Sequence, residues 1–140
     1  SSEEEHMSTD VIGNLLDLPQ FEPERRKVKL PRLGLALEVQ ELNYDKLIRL
    51  RTERDPEIRL ILAALVNHAE LRSEEWYHDK MGCATPADAL KKLLRMGEIE
   101  KLVRVIDNLN GYGVNSVTVL DDDELQASAV AAAVEDLEKN

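Results

Sequence analysis

Apolar and polar residues alternate with a period of two in the first third of the chain and with a helical period through the rest. From Arg26 to Leu30, Val28 and Leu30 alternate with Lys27 and Lys29; from Leu35 to Gln40, Leu35, Leu37 and Val39 alternate with Ala36, Glu38 and Gln40. Pro31 to Gly34 supply turn chemistry between the two runs. The pattern predicts a β-hairpin over 25–41 with one apolar face. Two strands alone are marginal in water, so that face is expected to lie on helices.

From Asn43 the spacing becomes helical. Asn43 suits an N-cap for a helix carrying Leu47, Ile48 and Leu50, and Asp55 followed by Pro56 suits the cap and first turn of a helix carrying Ile58, Ile61, Leu62 and Leu65. A short helix is predicted from Ser73, with Trp76, Tyr77 and Met81 on its buried side and Gly82 at its end. Thr85 then caps a helix with Pro86 in its first turn, Asp88 three residues after the cap, and a stripe of Ala89, Leu90, Leu93 and Leu94. A second stripe follows: Ile99, Leu102, Val103, Ile106 and Leu109, closed by Gly111 and Gly113. Gly97 stands between the stripes, and glycine within an exposed helix costs about 1 kcal/mol relative to alanine. It is therefore expected to be the joint between two amphipathic helices.

These elements define an α+β domain over 25–113, mainly helical, in which the hairpin 25–41 packs on about five short helices within 44–110. The ends differ in character. "SSEEEHM" reads as an appended leader before a natural start at Met7 and is set aside. Residues 8–24 carry a small apolar cluster (Val11, Ile12, Leu15, Leu16, Leu18) stopped by Pro19 and Pro23, and are expected to form a short helical arm within an acidic N-terminal segment, 1–24. "VNSVTVL" after Gly113 fits either a third strand or an extended linker. Within 114–140 it leads to a C-terminal helix with Leu125, Ala129, Val130, Ala133, Val134 and Leu137 at helical spacing.

Composition changes this picture in two respects. Only 4% of the 140 residues are aromatic, so the core must be aliphatic. The net charge of -10 is concentrated at the ends: 1–24 hold seven acids and no Lys or Arg, 121–140 hold seven acids and one Lys, and 25–120 hold 14 acids and 17 bases. Such ends are expected to solubilise the chain. No apolar run approaches the roughly 18–20 residues that cross a bilayer, and no basic flank precedes an apolar block at the N-terminus, so a soluble protein that is not exported is expected.

Candidate chemistry is sparse. Cys83 has no second cysteine to pair with, His68 and His78 lie in no metal-binding spacing, and "EEWYHD" at 74–79 reads as an exposed helical turn. No phosphate-cradling loop is present, since "GYG" lacks the frame and the Lys-Ser/Thr of a P-loop. Neither an enzyme, nor a metal site, nor a cofactor is expected. "RRKVKLPR" carries five positive residues from 25 to 32 and could lie on nucleic-acid phosphates. It lacks interleaved aromatics, however, and the acidic ends would repel the same polyanion. A solvated outer strand face, with lysines that discourage edge pairing, is the better explanation.

The order of parts, "KVKLPRLGLALEVQELNYDKLIRLR" and then "TPADALKKLLRMGEIEKLVRVIDNLNGYG", resembles the XkdN-like family of phage tail assembly chaperones of tailed phages and of prophages in Gram-positive bacteria. The likeness runs from about residue 25 to 113. It rests on Thr85, Pro86, Ala89, Leu90, Lys91, Lys92, Leu93, Leu94, Gly97, Glu98 and Ile99, with the "LNGYG" of Leu109 to Gly113. The resemblance implies a non-enzymatic factor that binds the long tape measure protein and keeps it soluble while tail tube subunits polymerise. It would act in the cytoplasm of the bacterial host, be absent from the mature virion and be capable of self-association. The expected client contacts are on the jointed helices: Leu90, Leu93, Leu94, Ile99, Leu102, Val103 and Ile106. The alternative is a small nucleic-acid-binding phage protein that uses the basic hairpin 25–32.

Overall fold

A computed structural model describes residues 11–17 and 22–123. It is α+β and mainly helical. After a short helix α1 (residues 11–17) come strands β1 (Arg25–Leu30) and β2 (Leu35–Gln40), then helices α2 (Tyr44–Arg51) and α3 (Pro56–Ala64). A 3₁₀ turn (Ala69–Arg72) and a π-helical turn (Glu75–Lys80) lead to α4 (Pro86–Leu93) and α5 (Met96–Asp107), and a second π-type turn (Asn108–Tyr112) closes the domain.

The hairpin forms as its alternation predicts. β1 and β2 pair antiparallel with Val28 opposite Leu37 and Leu30 opposite Leu35, so the apolar residues of both strands share one face. The Gly34 φ of 63° supplies the left-handed residue that the turn after Pro31 requires. Leu30, Leu37 and Val39 are buried against the helices. α3 lies at the centre, packed on α2, α4, α5 and β2. The core is aliphatic, with Val39, Ile61, Ala64 and Ile106 sealed from solvent.

Helix starts follow two of the expected caps. The Asn43 side chain accepts from the Lys46 N–H at 2.9 Å, and the Thr85 hydroxyl accepts from the Asp88 N–H at 3.2 Å. Asp55 departs from expectation. It adopts a left-handed φ of 52°, and its carboxylate turns from the helix end to the Lys91 ammonium, 2.9 Å away. That ion pair ties the start of α3 to α4 and holds the Asp55 carboxyl below the usual carboxylate range.

The joint of the helix pair is also displaced. α4 ends at Leu93, the break falls at Leu94 and Arg95, both extended in ψ, and Gly97 lies in the first turn of α5. The reason is local: Glu98 reaches back so that its carboxylate accepts from the Arg95 N–H at 2.7 Å, fixing the helix cap at Arg95, two residues before the glycine. A Cβ on Gly97 would meet nothing within 4 Å. Gly97→Ala is therefore expected to raise stability by about 0.5–1 kcal/mol in a denaturant titration; a loss of stability would show that the position works as a hinge.

The sequence left "VNSVTVL" open between strand and linker. Residues 114–117 form turns and bends and 118–121 have no regular structure, so no third strand forms there. Helix resumes at 122–123; the C-terminal helix expected from Leu125 onward lies outside the described residues, as does Leu18 of the N-terminal cluster. Val11, Ile12, Leu15 and Leu16 of α1 are exposed. Among the described residues, no helix is long and apolar enough to cross a membrane.

Candidate protein-binding groove

Two strands leave two edges, and the fold treats them differently. On the outer edge of β2, the Val66 N–H donates to the Glu38 carbonyl at 2.7 Å, and the Asn67 amide clasps the strand. Its Oδ1 accepts from the Glu38 N–H at 2.9 Å, and its Nδ2 donates to the Ala36 carbonyl at 3.1 Å. His68 Nε2, 2.7 Å from the same Ala36 carbonyl, completes the cover as the donor. That bond, then Glu70 beside Nδ1, raises the pKa of the ring. β2 is thereby capped by side chains that imitate a third strand.

Among the described residues, β1 has no such cover. Because Ala36 and Glu38 spend their backbone groups on the far side of β2, their partners Lys29 and Lys27 cannot bond to β2 and must direct N–H and C=O away from it. The Glu41 N–H bond to the Glu24 carbonyl, 2.9 Å, sets the same alternation from the other end. Among the described residues, nothing pairs with this edge.

Beneath the open edge lies a groove of about 600 Å³ between β1 and α5. Val28 and Leu30 form one wall and Leu102 and Val105 the other; Gly97 lets the channel run to the start of α5. The rim carries Arg95 and Lys101. One end is closed by Arg32, whose guanidinium donates to both Glu98 carboxylate oxygens, at 2.7 and 3.1 Å, and to the Leu93 carbonyl at 2.6 Å. The walls can bury apolar side chains, the edge can bond a backbone, and the rim favours negative charge.

Glu98 gives this end a pH signature. The Arg32 hydrogen bonds, followed by that from the Arg95 N–H, hold its carboxyl down from 4.5 to about 2. A carboxyl depressed in the folded state stabilises it fully above its unfolded value of 4.5, and that contribution is lost as pH falls towards 2. In thermal melts between pH 5 and 2, Arg32→Ala should lose less stability with acidification than the parent chain. Identical acid limbs would mean that the pair carries no linkage.

The residues expected from the sequence to touch a client are placed differently. Leu90, Leu94, Ile99, Leu102 and Ile106 are core residues, at most 7% exposed, and Leu93 and Val103 are half-buried against them. Side chains buried this deeply pack on one another in the folded domain, so the stripe builds the core. Of the seven, Leu102 also lines the groove. The groove residues absent from that expectation are Val28, Val105 and the rim cations. One signal for them was legible: a hairpin with one helix-covered face still has an edge to fill. The basic row resolves into Arg25, Lys27 and Lys29 on the solvent face of β1, with Arg32 committed to Glu98. Among the described residues, no cluster of three or more His, Cys, Asp or Glu side chains is arranged to hold a metal ion.

No family model matches the chain, and no curated protein matches it. Among solved structures, the crystal structure of the protein YqbN is similar, with a TM-score of 0.49 and 16% identity over 69% of this chain and 93% of that one.

Proposed function

We propose that the chain is a phage or prophage tail assembly chaperone that binds the tape measure protein and keeps it soluble during tail tube assembly. The observation that carries this reading is the groove between β1 and α5: apolar walls beside an unpaired strand edge suit a stretch of polypeptide. The family resemblance over 25–113 points the same way, and the net charge of -10 suits a holder that must keep an apolar client dissolved. The protein would act in the cytoplasm of the bacterial host and be absent from the finished virion. It would work in several copies along one client.

The test is co-expression with the very long coiled-coil reading frame expected beside its gene. The client should move from the pellet to the soluble fraction and co-purify with the chaperone. A client equally insoluble with and without it overturns the proposal. A second reading rests on the row of Arg25, Lys27 and Lys29 along the solvent face of β1, cations that a phosphate backbone would attract. It requires a gel shift with DNA or RNA that weakens steeply with salt.

A further inference from the structure

The open edge of β1 has a complement within the same sequence. Residues 117–121, Val-Thr-Val-Leu-Asp, are β-prone, have no regular structure and run into Asp122 and Asp123. Val117 and Val119 are 81% and 90% exposed. Alternating β-branched residues are an unusual choice for a solvated linker, and five residues suffice for an edge strand. In the single chain, the strand edge and this segment stand unpaired with each other.

We propose that residues 117–121 of one copy add to the β1 edge of a second copy as an antiparallel third strand, closing the groove. The chemistry selects both partner and direction. In the register that uses the free backbone groups of Lys27 and Lys29, Thr118 lies opposite Lys29 and Leu120 opposite Lys27. Val117 then falls opposite Leu30, and Val119 opposite Val28, on the groove side of the sheet. Asp121 meets Arg26 and Asp122 meets Arg25, while Asp123 falls beyond β1, level with Glu24. Val117 and Val119 thus face Leu30 and Val28 on the groove side, and Asp121 and Asp122 face Arg26 and Arg25, the pairing that stabilises cross-strand neighbours; Thr118 and Leu120 lie on the solvent face beside the stems of Lys29 and Lys27. A parallel strand would carry the acids toward the turn, away from Arg25 and Arg26. Pairing of β1 with another β1 would oppose four cations to four. The lysines on the edge therefore reject a like strand and accept an acidic one.

Among the described residues each copy offers one edge and one donor segment, so the contact is head-to-tail and propagates into a ring or a filament according to the rotation per step. This inference stands without the chaperone reading; a client entering the groove would have to displace the donated strand.

Light scattering on a size-exclusion column tests it. The full chain should show a mass that rises with concentration and falls with added salt. Leu120→Pro removes the donor N–H from a segment outside the packed domain and should leave single protomers. Lys27→Pro removes an N–H that β2 does not use, a site where an edge strand tolerates proline, and should do the same. Mixed in equal amounts, the two variants should form dimers and nothing larger, because one keeps the edge and the other keeps the donor. Should Lys27→Pro fail to fold, Asp121→Lys, Asp122→Lys and Asp123→Lys combined provide the second variant, expected to be monomeric. A full chain that stays a single protomer at every concentration overturns the proposal, as does association of Leu120→Pro equal to that of the parent.

Discussion

Ile106→Ala is expected to lower the stability of the domain by about 2–4 kcal/mol, the cost of deleting buried methylenes and leaving a cavity that close-packed neighbours fill only in part. Ile106 has no exposed surface and sits on α5 in the same cluster as Ile61 of α3 and Val39 of β2. Its backbone is engaged as well: the Ile106 carbonyl accepts from Asn110 Nδ2 at 2.9 Å, and Asn110 Oδ1 accepts from the Leu42 N–H at 2.8 Å, which fastens the end of the hairpin to the end of α5. A domain of this size holds roughly 5–15 kcal/mol in total, so the substitution should reduce the melting temperature by roughly 10–20 °C. Val103→Ala, one turn earlier and half-buried, should cost less than half as much. Calorimetry on the two variants checks the ordering. Equal losses would mean that the α5 stripe is not the wall of the core and that its buried side is open to a partner.

That ordering bears on what the sequence could disclose. The hairpin, the caps at Asn43 and Thr85, the end at Gly82 and the apolar stripes were legible because each is a local matter of side-chain period or of one hydrogen bond within four residues. The helix joint was misplaced from Leu94 and Arg95 to Gly97 because glycine is an obvious breaker, while the Glu98 carboxylate returning to the Arg95 N–H is a quieter signal. The cover on β2 was invisible. Asn67 and His68 reach residues about thirty positions earlier in the chain, and nothing in their own neighbourhood announces it. The candidate site was hidden for a similar reason. A stripe of Leu and Ile says that a helix buries one face but not against what. In a domain with so few aromatics, every strong stripe is needed at home, and the surface left for others is made from its margins: Val28, Val105 and the edge of β1.

Val105→Glu follows from that division of labour, and its expected effect is on binding. Val105 is half-buried on the wall of the groove facing Val28, one residue before Ile106 and so about 100° around the helix from the sealed side. A carboxylate there has solvent above it and Lys101 one turn earlier on the same helix, so the folded state can hold it at a cost of about 1 kcal/mol, far below that of Ile106→Ala. A client segment bound as the proposed function requires has no such freedom. To seat an apolar side chain in the groove it must desolvate the new charge, which buried sites avoid at a cost of several kcal/mol unless a partner is supplied. Co-expressed with the tape measure protein, Val105→Glu should therefore return the client to the pellet at the level seen with no chaperone, while its own melting temperature stays within a few degrees of the parent. Val105→Ala, which trims the wall without charging it, should retain most of the client. If Val105→Glu holds the client as well as the parent chain does, the groove is not where the client sits, whether or not the chain is a chaperone.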